Sequence, residues 1–294
     1  MRSRNASPSA GVHHALTPPV IPSAIASAGS RTVCSSPHGA GDFVETVASG
    51  GDERTYRLHV PTSPNGDRLP LVVSYHGYGR SAEDQERYSG LVPVADREDF
   101  ILVTPEGEGD PQEWQVVDVY DDSTTADITF TADMVAQLEG ELCIDTARIY
   151  ATGISNGAEM ASQVGCYLPN VFAAIAPVSG VVYQGCDGLP EPVISFHGTA
   201  DENVPFETAP PAMADWANHN GCGTDIDETQ VSANVTRESY SGCGANDVVL
   251  YVIDGGGHTW PDAEDYAPGG GAGPTTHEIN ANDLIWQFFE QHSR

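Results

Sequence analysis

The sequence predicts an α/β fold: a single domain with a mostly parallel central sheet and helices on both faces. Two observations carry this. From residue 41 onward, short apolar runs alternate with segments whose apolar residues recur at helical spacing, the pattern of strands joined by crossover helices. Most of those runs are continuously apolar, as strands covered on both faces are. A third observation concerns function. The glycines, histidines and acids that could form a site follow the apolar runs, where a parallel sheet places its active-site loops.

The elements follow in order. Tyr56, Leu58 and Val60 alternate with polar residues, as on a half-buried strand, and short antiparallel strands lead into the sheet. Residues 71–75 form an apolar strand ending in His76-Gly77, and residues 100–103 another, ending in Thr104-Pro105. Phe130, Met134, Val135, Leu138 and Leu142 share one face of a helix. Residues 148–152 read as a strand, followed by Gly153 and a helix containing Met160 and Val164. Residues 171–178, 193–196 and 248–252 are further strands. Leu284, Ile285, Phe288 and Phe289 mark a closing amphipathic helix that Asn280 can cap.

Residues 1–32 stand apart. They are rich in Ser, Ala and Pro, with Arg2 and Arg4 near the start. Ala24-Ile25-Ala26 and Ala26-Ser27-Ala28 resemble small-residue cleavage sites, although Pro18, Pro19 and Pro22 interrupt the apolar segment before them. This stretch reads as a leader or a disordered extension, and residues 33–294 as the folded domain.

Composition excludes several function classes. There are 42 Asp and Glu against 12 basic residues, a formal charge of −30, and all the basic residues are Arg. Nucleic-acid binding needs a basic footprint, which is missing. An anionic membrane surface would repel the chain, and no run approaches the ~18 apolar residues of a membrane span. At 39% hydrophobic the chain can still bury a full core. Six cysteines without a CxxC pair fit three disulfides rather than a metal site. That implies an oxidising, secreted setting. Cys222 and Cys243 are the favoured pair, because they flank a polar, Gly-rich loop whose closure would gain about 3 kcal/mol.

Gly153-Ile154-Ser155-Asn156-Gly157 matches G-x-S-x-G between a predicted strand and a predicted helix, the context of a nucleophile elbow. A serine hydroxyl needs a base to take its proton. The histidines after Ser155 are His197, His219, His258, His277 and His292. His258 follows a strand on a loop with three glycines, so it is the expected base. His197 also follows a strand but reads as structural. The acid should lie between the two, after a strand. Asp201 satisfies this, with Glu202 and Asp254 as rivals. The expected oxyanion donors are the backbone amides of Asn156, at the helix start, and Tyr78, in the loop after the early strand.

These segments carry a family resemblance. Residues 69–73 running into His76-Gly77, residues 143–157, residues 172–180, His197 to Asp201, Gly257 to Pro261 and the terminal Trp286-Gln287-Phe288-Phe289 are similar to the secreted polyhydroxybutyrate depolymerases and feruloyl esterases of the α/β-hydrolase fold. The resemblance spans most of the chain and implies a triad of Ser155, Asp201 and His258. Two departures from the family pattern stand out. Ala158 and Glu159 replace another glycine and a small or apolar residue, and no cysteine follows His76-Gly77.

The expected activity is serine ester hydrolysis through an acyl-enzyme, with no metal or organic cofactor, by a monomer. The chain ends shortly after His258 without a Ser/Thr/Pro linker or C-terminal module, which favours soluble or oligomeric esters over solid polyester. Trp114 and Trp260, with Tyr78, are candidate aromatic walls for a phenolic acyl group, an aromatic polyester unit or a sugar ring. An acetylxylan esterase, an aromatic polyester hydrolase and a peptidase are the alternatives within the fold. A non-catalytic binding module is the alternative outside enzymes. Asp118, Asp121, Asp122 and Asp127 lack calcium-loop spacing and read as a solvated acidic loop.

Overall fold

The computed structural model describes residues 38–62, 67–116, 125–186, 188–264 and 272–294. Residues 1–32, expected to be a leader or extension, lie outside them.

In chain order the elements are β1 (Gly41–Ser49), β2 (Asp52–Val60), β3 (Leu69–Tyr75), α1 (Ala82–Ser89), α2 (Leu91–Glu98), β4 (Ile101–Pro105), β5 (Glu108–Gly109), β6 (Gln112–Glu113) and α3 (Ala126–Glu141). Then come β7 (Ile144–Ile154), α4 (Asn156–Tyr167), β8 (Ala174–Val178), β9 (Val193–Gly198), α5 (Ala209–His219), β10 (Ile226–Gln230), β11 (Val235–Tyr240), β12 (Val248–Ile253) and α6 (Ala281–Phe289). Ten strands form one sheet in the order β1-β2-β4-β3-β7-β8-β9-β12-β11-β10. The six from β4 to β12 pair in parallel. The strands outside them pair antiparallel at each edge.

The period-2 geometry of a strand sorts the core into two layers. Leu71, Val73, Ile149, Ala151, Val248 and Leu250 pack with α3, α4 and α5 residues such as Met134, Val164 and Trp216. The residues between them, Val72, Tyr150 and Val249, pack on the other face with Leu91, Val94, Ile285 and Phe289 of α2 and α6. Both faces of the parallel strands are therefore covered, which is why their sequences read as continuous apolar runs.

Local capping fixes where helices begin. Ser81 and Asp84 form a reciprocal capping box at α1. The Asn280 side chain accepts from the Asp283 amide at 2.9 Å and caps α6. No helix among the described residues is long and apolar enough to cross a membrane.

Strand order also decides which loops meet. β3 lies beside β7, so the segment after Tyr75 borders the turn after Ile154. β9 pairs with β12 with Gly198 opposite Ile253, so the loops carrying Asp201 and His258 leave the sheet side by side.

Candidate active site

Ser155 sits between β7 and α4 with φ 59° and ψ −127°. A non-glycine residue at positive φ costs roughly 1–3 kcal/mol and persists only where its surroundings enforce it. The glycines of the pentapeptide make that turn possible. A Cβ on Gly153 would stand 2.8 Å from the Tyr75 carbonyl oxygen, and one on Gly157 would stand 2.5 Å from that of His76. The N-terminus of α4 therefore rests directly on the backbone leaving β3. The Ser155 amide donates to Val178 at 3.0 Å, which pins the elbow to β8.

Asp201 follows β9 and is buried. Its Oδ1 accepts from the amides of Asn203 and Val204, each at 2.9 Å. Its Oδ2 lies 2.8 Å from Nδ1 of His258. Burial pushes the carboxyl upward. The hydrogen bonds from His258, Val204 and Asn203 and the nearby imidazole outweigh it and hold the group below its ordinary value. A carboxylate at Nδ1 keeps the proton there and leaves Nε2 as a base.

The other candidates are engaged elsewhere. His197 is fully buried, and its Nε2–H donates to the Val204 carbonyl at 2.9 Å, bracing the turn that carries Asp201. Burial lowers its pKa, so it stays neutral. His219 contacts the Leu189 carbonyl, and His277 contacts Asp262. Asp254 accepts from the Thr199 hydroxyl and Glu202 is exposed.

Asn156 is the first residue of α4, where a backbone N–H has no acceptor within the helix. Tyr78 lies in the turn after β3, and its side chain is 57% exposed. The preceding Gly77 abuts the nucleophile: a Cβ built on it would stand 3.4 Å from the Ser155 Cβ. Both expected donor amides thus belong to segments that touch Ser155.

Three sequence-based expectations need correction. Trp114 is 2% exposed and Trp260 is fully buried, so neither offers a wall to substrate. The Trp114 indole N–H donates to the His76 carbonyl at 2.8 Å, with its ring against Tyr75 and His76. The Trp260 indole N–H donates to Asn282 at 2.9 Å within the α6 core. Burial suits these rings because each N–H finds a partner. Asp127 is not solvated either. It is buried in an ion pair with Arg54 at 2.8 Å and accepts from the Gln115 amide. Asp118, Asp121 and Asp122 lie outside the described residues.

Disulfides join Cys166 to Cys186 and Cys222 to Cys243, and Cys143 is also disulfide-bonded. Sequence reasoning did not assign roles to the side chains of His76 and Asn156. Both contact the backbone around the site, and their only sequence signal is their place beside the motif glycines.

The fold and the activity class agree with known proteins. The solved acetyl xylan esterase from Aspergillus awamori superposes with a TM-score of 0.65 at 16% identity, over 85% of this chain and 99% of that one. A thermostable esterase superposes with a TM-score of 0.57 at 19% identity. The chain is a carboxylic ester hydrolase with the α/β-hydrolase fold. Residues 54–190 match the family model described as "Esterase PHB depolymerase". The chain is 30% identical to "Putative esterase NocK" of Nocardia uniformis subsp. tsuyamanensis, over 82% of its own length and 80% of that protein. It is 27% identical to feruloyl esterase D of Neurospora crassa, over 84% of each. It belongs to the Esterase PHB depolymerase family.

Proposed function

We propose that this chain is a secreted serine esterase that works through an acyl-enzyme on soluble or oligomeric esters, of feruloyl-esterase or polyhydroxybutyrate-depolymerase type. Ser155 attacks the ester carbonyl while His258 Nε2 takes the hydroxyl proton. The amides of Asn156 and Tyr78 hold the oxyanion, each worth about 2.7–4 kcal/mol of barrier. His258 then gives its proton to the leaving alcohol. Water, deprotonated by His258, attacks the acyl-enzyme and frees the acid. Asp201 keeps the imidazole in the tautomer this needs and stabilises the imidazolium.

The observation that carries this reading is the 2.8 Å contact between His258 Nδ1 and Asp201 Oδ2, on loops that leave the same sheet edge as the strained Ser155 turn. Tyr78, exposed in the turn whose Gly77 abuts Ser155, supports an aromatic acyl group, as do relatives named feruloyl esterases. Disulfides support an oxidising compartment, extracellular or periplasmic.

A fluorophosphonate probe tests the mechanism. An adduct on Ser155, lost in Ser155→Ala, is expected; no adduct on the intact protein would sink the reading. A panel of methyl ferulate, acetylated xylan, hydroxybutyrate oligomers and an aromatic polyester ranks the substrates. Methyl ferulate or the oligomers should give the highest kcat/KM.

A further inference from the structure

We infer that the side chains of Asn156, Trp114 and His76 form one positioning unit that holds the two oxyanion amides in register with each other. This rests on the acyl-enzyme reading above. The two donors belong to different elements, the turn after β3 and the first turn of α4. They can share one oxygen only if their relative placement is held to within about 0.5 Å.

The first link fixes the Tyr78 amide. His76 is fully buried, and the Gly107 amide donates to its Nε2 at 2.9 Å. The ring proton therefore sits on Nδ1, which donates to the Gly77 carbonyl at 2.9 Å. The Arg80 amide donates to that same carbonyl at 3.2 Å. In a trans peptide the carbonyl and the following N–H point in opposite directions. With the Gly77 oxygen held by two donors, the Tyr78 N–H must face away from them. Rotating this peptide would break both bonds.

The second link ties this turn to α4. The Asn156 Oδ1 accepts from the Trp114 amide at 2.7 Å, and its Nδ2 donates to the Trp114 carbonyl at 3.2 Å. Glu159 steadies that side chain, accepting from Nδ2 at 3.1 Å. The Trp114 indole donates to the His76 carbonyl at 2.8 Å, and its ring lies 4.8 Å from the imidazole. An unbroken path thus runs from Asn156 through Trp114 and His76 to the Gly77–Tyr78 peptide. Asn156 serves twice: its amide faces the oxyanion, and its side chain anchors the segment that orients the other donor.

The path needs a neutral His76, because a proton on Nε2 would oppose the Gly107 N–H. Burial lowers the pKa of His76 and favours that form. None of the three side chains touches the reacting atoms, so they act through the peptides they hold.

Asn156→Ala and Trp114→Phe, singly and combined, test the unit on the full chain. The readouts are kcat and KM on an aryl ester per fluorophosphonate-titrated serine, and inhibition by a trifluoromethyl ketone, whose adduct carries an oxyanion. Each single change should lower kcat about 10- to 100-fold with KM changed little. Ketone affinity should fall in proportion, and the double variant should be no worse than the weaker single. A merely structural role would lower melting temperature or the titratable fraction and leave kcat per serine unchanged; that result overturns the inference. Asn156→Asp keeps the Oδ1 acceptor, so it should fall between wild type and Asn156→Ala, and it serves if a larger change does not fold. Wild type that titrates normally while all variants match it defeats the positioning unit alone. Wild type that does not label defeats the esterase reading itself.

Discussion

Asp201 Oδ2 lies 2.8 Å from His258 Nδ1 although 57 residues separate them in the chain. The parallel register of β9 with β12 creates this meeting, with Gly198 opposite Ile253 where the two loops depart. Two backbone amides occupy the other carboxylate oxygen. Asp201 therefore presents a single, oriented acceptor to the imidazole.

That geometry predicts the outcome of Asp201→Asn. The amide can donate to Nδ1, which shifts the imidazole proton to Nε2 and removes the base. kcat should drop about 10⁴-fold with KM little changed. A variant whose kcat stays within about tenfold of wild type counts against the assignment.

Glu191 predicts an opposite kind of pH effect, on stability. Its side chain is buried, its Oε1 has no hydrogen-bond partner among the described residues, and burial raises its pKa well above the ordinary value, with Arg294 opposing weakly. A carboxyl with a raised folded value binds more protons folded than unfolded. Stability is thus full below the ordinary carboxylate range and declines as pH rises toward the folded value. Glu191→Gln should remove that decline. Melting at pH 7 should rise by about 2–4 °C for each kcal/mol recovered, with no gain near pH 4. Equal melting at both pH values refutes this.

The Cys222–Cys243 disulfide closes a loop with a sequence separation of 21. Replacing both cysteines by Ala frees the unfolded chain and should lower stability by about 3 kcal/mol. Denaturant unfolding measures it. Because the loop lies beyond β9 on the far side from Ser155 in the sheet order, kcat should be unaffected.

The charge of −30 belongs mainly to the surface rather than to the proposed chemistry, which uses one carboxylate. Such a surface repels itself, and salt shortens the reach of that repulsion from about 10 Å at 0.1 M to about 3 Å at 1 M. The melting temperature should rise between about 0.1 and 2 M NaCl. A constant or falling value refutes this account of the charge.

Much of this fold was legible because its strands are buried on both sides. Residues 71–75, 148–152, 193–196 and 248–252 all fall inside strands, and Asn280 caps α6 as its position suggested. The strand β10 carried no such signal. All five of its residues are exposed, so no apolar pattern marks it. The helix α1 is mostly polar, with only Ala82 and Tyr88 apolar, and is announced mainly by its capping box.

The sequence by itself determined the class of fold, the family and the three candidates of the triad. Each triad candidate directly follows an apolar run, and a parallel sheet makes that position meaningful. Tertiary structure decided what type and position leave open. Trp114 and Trp260 look alike in the sequence as cleft walls, yet both are buried with their N–H groups paired. Asp127 reads as one more surface acid, yet it is buried against Arg54. A sequence states which groups are available. Burial and hydrogen-bond partners depend on segments far apart in the chain, and only packing brings those together.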